Sequence, residues 1–554
     1  MKKKEKFDPI SVEIIQSSIS AIADEMFAAM QKTAMSSIIY EILDFGVAIT
    51  DKNGNLAGSG AGIPVFVGML DHAVKSIIKK FQDSGKIKSG DIFISNIPQR
   101  GGVSHLNDIT LILPIFVDDE IVAWVANKAH WSDVGGMSPG SMDPNATEIY
   151  QEGIQLPEVK LFENNLPVES VMDIIMANIR LTDTAQGDLW AGISSMKVGE
   201  ERIIELVEKY DKETVLYAID QFMDYGEKVS LKALEHLPKG TFSAKAKLDD
   251  DQELKAKITI TDKNFIVDLR DNPSQNSGPI NNSFEATKVE AQTIFKAVTS
   301  PQTPANAGSF RPLKVICDEG SMFNAEYPAA MGYYSEAGII VFDLLKKVLA
   351  PHLPDKLPAG NFASICGTII GGIHPETQKP YNFVEPELGG WGGGLNYDGN
   401  SAHYTGTHGE TYNTPVEINE RRNGVRVERY ELSDEPGGDG KFRGGKGIKI
   451  DHHIIAENAW ITALYTHSKY PAWGVNGGHD GSVNFFKIKR KNGEEEIYSS
   501  CSVLPLEPGD IVQITTANGG GYGDPKERPA DKVKEDLKNE YITEEQAHEI
   551  YGLE

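Results

Sequence analysis

The sequence predicts an α+β protein: a mixed α/β N-terminal part followed by a β-rich, glycine-rich C-terminal part. Three observations predict it. Apolar residues recur at helical spacing near the start, and the charged stretch 198–236 reads as helical. Runs such as ITLILPIF (109–116) and IVAWVANKAH (121–130) read as strands. From about residue 360 glycine becomes dense, with GGWGGG at 389–394 and GGDGKFRGGKG at 437–447. A chain of 554 residues exceeds one core. We divide it into 1–238, 239–360, 361–530 and a helical tail, 531–554.

In chain order, Asp8-Pro9 opens the first helix as N-cap and N1 proline. Ile14, Ile15, Ile19, Ile22 and Met26 form its apolar stripe, and it should end near Ser36. DFGVAITDKNGNLAG (44–58) reads as a strand, an Asn-Gly turn and a second strand, with Asp44 opening the first. A second helix is predicted over 70–83 and a β-rich region over 91–130. The charged helical stretch 198–236 ends at Leu237-Pro238-Lys239-Gly240. Residues 241–270 alternate as strands, and 283–299 and 334–349 predict helices. Thr543 and Gln546 stand in capping-box spacing, so a short helix is expected in the tail.

Composition excludes several classes. The formal charge of -26 disfavours nucleic acid and anionic membrane as partners, and no basic stripe overrides it. No run approaches the ~18 apolar residues of a membrane span. The basic start MKKKEKFDPI is not followed by an apolar stretch, so no signal peptide is expected. Cys317, Cys366 and Cys501 lie far apart, form no CxxC and fit a reducing cytoplasm.

One hairpin gathers the chemistry. With its tip between Asp118 and Asp119, antiparallel pairing puts His130 opposite position 107, between His105 and Asp108. On an extended strand His105 and Asp108 would point to opposite faces, but a turn after Gly101-Gly102 brings them together. Asp133 repeats the His-x-x-Asp spacing in HWSD, ahead of Gly135-Gly136. Nitrogen and carboxylate ligands together suit Zn²⁺, Mn²⁺ or Fe²⁺ better than Mg²⁺ or Ca²⁺. Other groups are set aside: His403, His408 and the adjacent His452-His453 have no carboxylate at an interpretable spacing. Glu385, Glu387, Glu417 and Glu420 read as loop acids facing water.

The chain resembles the B-type subunits of hydantoinase/oxoprolinase enzymes, which are related to the metal-binding subunit of acetone carboxylase. The likeness lies in EILDFGVAITDKNGNLA, GDIFISNIPQRGGVSHLNDITLILPIF and AHWSDVGGMSPGS. It continues in IYQEGIQLP, NIRLTDTAQGDL, GSFRPLKV, NTPVEINE, GGDGKFRGGKG and GGGYGDPKERP. Departures are Ile97 where the family has an aspartate, Ser104 where it has a threonine, and Gly46 where it has a serine. The resemblance implies that His105, Asp108 and His130 are metal ligands and that Asp44 completes the set. It implies ATP-coupled hydrolysis of a small cyclic amide such as a hydantoin or 5-oxoproline. The alternatives are carboxylation of a ketone and a non-catalytic scaffold around a structural metal.

The chain carries no GxxxxGK[ST] motif, and GGDGKFRGGKG reads as a set of tight turns. This agrees with the implied partner, a hydantoinase A-type subunit that takes up ATP and phosphorylates the substrate. Asp133 is a candidate to orient His130 or move a proton. Arg311 and Arg443, each in a family-like motif, are candidates to meet phosphate or a substrate carboxylate.

Overall fold

The first sheet has seven strands in the order β2-β1-β5-β4-β3-β6-β7. In a computed structural model describing residues 7–81, 86–100, 102–409 and 411–553, this sheet carries the histidine hairpin. Its strands are β1 (Phe45–Asp51), β2 (Leu56–Gly62), β3 (Ile92–Ser95), β4 (Asp108–Val117), β5 (Glu120–His130), β6 (Val159–Glu163) and β7 (Leu166–Pro167). The helices interleaved with them are α1 (Pro9–Thr33), α2 (Ser37–Tyr40), α3 (Pro64–Phe81), α4 (Glu169–Ala177), α5 (Thr182–Tyr210) and α6 (Lys212–His236).

Asp8 caps α1 by accepting from Ser11 N at 3.0 Å, and Ile15, Ile19, Ile22, Met26 and Met30 form its buried face. That face meets Val47, Ile49 and Val125 on one side of the sheet. The other side, with Ala48, Trp124 and Ala126, packs on Leu70, Val74 and Ile77 of α3. Both faces of β1 and β5 are therefore covered, which is why they read as continuous apolar runs. At the β1–β2 turn Gly54 has φ 80, and Asp51 Oδ1 accepts from Asn53 N and Asn55 N.

Some boundaries move. The first helix stops at Thr33, and the chain re-enters a short helix at Ser37. The second starts earlier than the spacing suggests because Val65, Phe66 and Met69 already contribute buried contacts; positions 82–83 lie outside the described residues. The helical stretch before Leu237 is two helices, broken at Asp211 (φ 62), whose side chain accepts from Thr214 N to cap α6.

The second sheet, ordered β11-β10-β9-β8, holds β8 (Gly240–Lys247), β9 (Glu253–Ile260), β10 (Phe265–Asp268) and β11 (Leu313–Ile316). It is covered by α7 (Phe284–Thr299) and α8 (Tyr334–Leu349); Trp473, Val475 and Tyr522, from far along the chain, complete this core.

The C-terminal half contributes β12 (Thr368–Ile373), β13 (Pro380–Glu385), α9 (Val416–Arg422), β14 (Val425–Leu432), β15 (Ile448–Ile454) and β16 (Glu457–Leu464). It continues through β17 (Phe485–Lys489), β18 (Glu495–Tyr498), β19 (Ser500–Leu506), β20 (Ile511–Thr515), α10 (Ala530–Lys538) and α11 (Glu544–Glu549). Two sheets, β13-β12-β16-β19 and β14-β15-β20-β17-β18, share one core around Ile370, Phe383, Ile450, Ile461 and Ile514.

The glycine-rich segments do more than turn. Gly445 N donates to Trp391 O and Gly519 N to Gly445 O, so main chain packs on main chain. A Cβ on Gly519 would lie 2.2 Å from Trp391 O. Thr543 and Gln546 do form a capping box at α11. No helix among the described residues is long and apolar enough to cross a membrane.

Candidate metal centre

The β4–β5 hairpin turns on Asp118 (φ 51) and Asp119 (φ 61), a two-residue connection of the kind aspartate tolerates. Val117 faces Glu120 and Phe116 faces Ile121, as the sequence predicts. A bulge between Phe116 and Ile115 then shifts the register by one residue, so His130 faces Asp108 rather than position 107. The correction draws the ligands closer: histidine and aspartate become direct cross-strand partners.

His105 belongs to the turn that leads into β4. Asp108 N donates to His105 O at 3.1 Å, folding the segment so that His105 Nε2 comes 3.2 Å from Asp108 Oδ1. The His105 and His130 rings lie with centroids 5.0 Å apart. One ligand atom from each of His105, Asp108 and His130 falls within 4.8 Å of the others, and all three residues are buried. His105 Nε2, Asp108 Oδ1 and His130 Nδ1 have no hydrogen-bond partner. Buried polar atoms are almost always satisfied, so three unsatisfied atoms turned on one point fit a bound cation.

Asp44 stands just before β1. His130 N donates to Asp44 O at 3.1 Å, and the Asp44 side chain lines the same cavity as His105 and His130. The residue is partly exposed where it lines that cavity. Burial, then the neighbouring Asp108 charge, pushes its carboxyl well above the usual range. A cation between the two carboxylates would relieve that repulsion.

The surroundings hold the candidate ligands in place. His105 Nδ1 donates to Gly332 O at 3.0 Å, which leaves Nε2 with its lone pair facing inward. Gly332 is itself held by Glu152, whose carboxylate accepts from Met331 N and Gly332 N. Burial raises Glu152 to about 7. Ser104 Oγ donates to Asp108 Oδ2, and Lys128 Nζ donates to Ser104 Oγ at 3.3 Å and to Gly102 O at 2.9 Å. Gly102 has φ 67 and lies against α3, where a Cβ would meet Ala73 N at 2.3 Å; only glycine fits. Lys128 precedes His130 by two on β5 and shares its face.

Burial lowers Lys128 to about 8. Burial opposes ionisation of Asp108 too, but His105, His130 and Lys128 together bring it below its usual range. Burial, and then the neighbouring His105 ring, bring His130 down to about 3, so its ring is neutral at neutral pH.

The cavity measures about 50 Å³, room for an ion and a few waters. Its wall includes Tyr334, Thr411 and His408. Spacing alone sets His408 aside; the structure brings it in from the C-terminal half, and burial lowers it to about 4. No local signal marks it, because His105 and His130 are hundreds of residues away. Two larger cavities, about 550 Å³ beside β8 and 740 Å³ beside Arg180 and Trp460, hold no such cluster of ligands among the described residues.

Three expected site residues lie elsewhere. Asp133 Oδ1 accepts from Gly135 N and Arg180 N, and Oδ2 accepts from Gly140 N and Arg180 Nη1. It caps and closes a loop and does not hydrogen-bond His130. Arg311 pairs with Asp224 and Glu227 on the exposed side of α6. Arg443 reaches Asp536 Oδ1 at 3.1 Å and stacks over Tyr541 at 3.8 Å, holding the C-terminal helices to the glycine-rich segments. Neither arginine lines the cavity.

Known proteins are similar to this chain along nearly its whole length. The putative D-/L-hydantoinase B component of a Pseudomonas species is 32% identical over 99% of this chain and 95% of its own length. The beta subunit of the Pseudomonas jessenii caprolactamase is 26% identical over 99% of this chain and 96% of its own. The crystal structure of the ATP-dependent caprolactamase from that organism superimposes with a TM-score of 0.93, covering 99% of this chain and 96% of the other. Nucleotide-free acetone carboxylase, at 18% identity, TM-score 0.91 and coverage of 98% and 79%, shares the fold. The pattern described as Hydantoinase B/oxoprolinase matches residues 8–525, from the cap of α1 through the last strand, and this chain belongs to that family.

Proposed function

We propose that this chain is the metal-binding subunit of an ATP-dependent hydrolase that opens small cyclic amides. A separate partner of the hydantoinase A type takes up ATP and phosphorylates the amide oxygen, leaving ADP; at the His105–Asp108–His130 site water adds to the activated carbon, the ring C–N bond breaks and phosphate is released. One observation carries the reading: three buried ligand atoms, unsatisfied by the protein, lie within 4.8 Å of one another beside a cavity that His105 and His130 line. The hydantoinase and caprolactamase relatives support the substrate class and the need for a partner.

Asp44, His105, Asp108 and His130 would hold a Zn²⁺, Mn²⁺ or Fe²⁺ ion, which supplies Lewis acidity and lowers the pKa of a coordinated water from ~16 toward ~7. The chain's own residues prepare for this. Gly332 O fixes the His105 tautomer, burial keeps His130 neutral, His105 and then Lys128 favour the ionised Asp108, and Ser104 Oγ holds its Oδ2 in place. Tyr334 and His408 are the remaining polar groups of the wall suited to orienting the ring or holding a proton as it opens.

The test combines the chain with its partner and ATP, offering hydantoin, 5-oxoproline, caprolactam, or a ketone with bicarbonate. We expect ring opening only when both subunits and ATP are present, lost on chelation and restored by Zn²⁺, Mn²⁺ or Fe²⁺. Turnover of the ketone without any cyclic amide would replace this reading with a carboxylase. Turnover indifferent to chelation would leave only a scaffold.

A further inference from the structure

A second cluster of histidine and carboxylates lies on the opposite side of the segment that walls the first cavity. Val384 and Pro386 face that cavity. Glu385 and Glu387 alternate with them along the extended chain and point the other way, toward His452 on β15. One ligand atom from each of Glu385, Glu387 and His452 lies within 4.8 Å of the others. They are 3%, 0% and 2% exposed, so the reading of these glutamates as solvent-facing acids fails.

The hydrogen bonding is incomplete in a telling way. Glu385 accepts from Thr414 N at 2.7 Å and Asn419 Nδ2 at 3.2 Å. Glu387 Oε2 has only Asn413 Nδ2, at 3.4 Å, and its Oε1 has no partner. Neither ring nitrogen of His452 has one. Asn413 cannot turn to help, because its Oδ1 accepts from Tyr404 Oη at 2.9 Å and Tyr430 Oη at 3.2 Å. Among the described residues neither glutamate has an ion-pair partner. Two buried carboxylates beside an unsatisfied imidazole lack a positive charge, and a divalent ion supplies charge and missing bonds together.

We infer that Glu385, Glu387 and His452 form a second divalent metal site, structural in role and back to back with the first. One nitrogen and two carboxylates suit Zn²⁺ or Mn²⁺. The space beside Glu385 and His452, about 10 Å³, holds no more than one water, too little for a substrate, so the role is structural. Its ion would fasten β13 to β15 through His452, and Glu385's bonds to Thr414 N and Asn419 Nδ2 hold the 413–419 segment to the same point. The stretch just before that segment delivers His408 and Thr411 to the first cavity.

Metal stoichiometry tests this on the full-length chain, stripped with chelator, re-equilibrated with Zn²⁺ or, in parallel, Mn²⁺, and gel-filtered. We expect two ions per wild-type chain and one in each double variant, Asp108→Asn/His130→Gln and Glu387→Gln/His452→Gln. The second site is overturned if Asp108→Asn/His130→Gln keeps no ion, or if Glu387→Gln/His452→Gln keeps as many as wild type. A single wild-type ion that survives Asp108→Asn/His130→Gln supports the second site while removing the first. Should Glu387→Gln/His452→Gln not fold, the count in Asp108→Asn/His130→Gln decides alone, and added Zn²⁺ should raise that variant's Tm. Zero ions and an unmoved Tm would mean that the two glutamates share a proton instead.

Discussion

HLND and HWSD carry the same His-x-x-Asp spacing and end in different roles. In the first, the turn folds His105 Nε2 to 3.2 Å from Asp108 Oδ1, and both keep an unsatisfied atom. In the second, His130 ends β5 while Asp133 has entered the next loop, its oxygens filled by three backbone amides and Arg180. Spacing set the possibility of a pair; the available donors decided what each carboxylate became. A carboxylate given four donors is finished as a structural group, and one left with a free oxygen is available for a ligand.

The sharpest break of this comparison is Asp108→Asn against Asp133→Asn. Asp108→Asn should lower ATP-dependent amide hydrolysis by more than the ~100-fold that loss of an outer-shell partner costs, together with one bound ion. Asp133→Asn should leave the pH profile and metal content of the enzyme as they are. Removing the group altogether in Asp133→Ala should cost about 3 kcal/mol of stability, read by denaturant unfolding, because buried amides lose their acceptor. If Asp133→Asn shifts the pH profile as a proton-transfer group would, the two pairs are not as different as described.

Glu152, which braces the His105 side of the comparison, gives a pH prediction. Its folded pKa of about 7 lies above the ordinary carboxyl value of 4.5. The folded state therefore binds the proton more tightly. The stability this contributes is fully present below pH 4.5 and is lost as pH rises through 7, on the order of 3 kcal/mol in all. Glu152→Gln should flatten this fall between pH 5 and 8 in metal-stripped protein, and an unchanged slope would exclude Glu152 as its source.

Smaller still, Ser104→Ala leaves Asp108 Oδ2 without its hydroxyl donor and should weaken metal affinity by ~10–100-fold without changing the fold, measured by chelator competition. Least of all, Arg311→Ala removes an exposed pair on α6 and should cost under ~1 kcal/mol, with KM unchanged. A raised KM would return Arg311 to the substrate.

How much is legible in the sequence follows from distance along the chain. The hairpin, the Asn-Gly turn, the caps at Asp8 and Thr543 and the helices after Ser283 and Tyr333 depend on neighbours a few positions away, and local chemistry predicts them. The one-residue difference in register comes from a bulge, which no residue between Ile115 and Ala123 announces. His408 is invisible to spacing because its relation to His130 exists only after the C-terminal sheets dock on the first. Glu385, Glu387 and His452 are obscured for the same reason: loop acids are usually wet, and only the packing of β13 against β15 and α9 excludes water from these.

The sequence by itself determined which stretches become strands and helices, and that a histidine and an aspartate would meet where one hairpin opens. Periodicity, caps and turn residues act over a few bonds, and the chain writes them out directly. Only the tertiary structure decided which carboxylates were left short of donors, which arginines were already paired, and which distant imidazoles came to share a cavity. Those outcomes depend on burial and on partners tens to hundreds of residues away, and no local pattern encodes either.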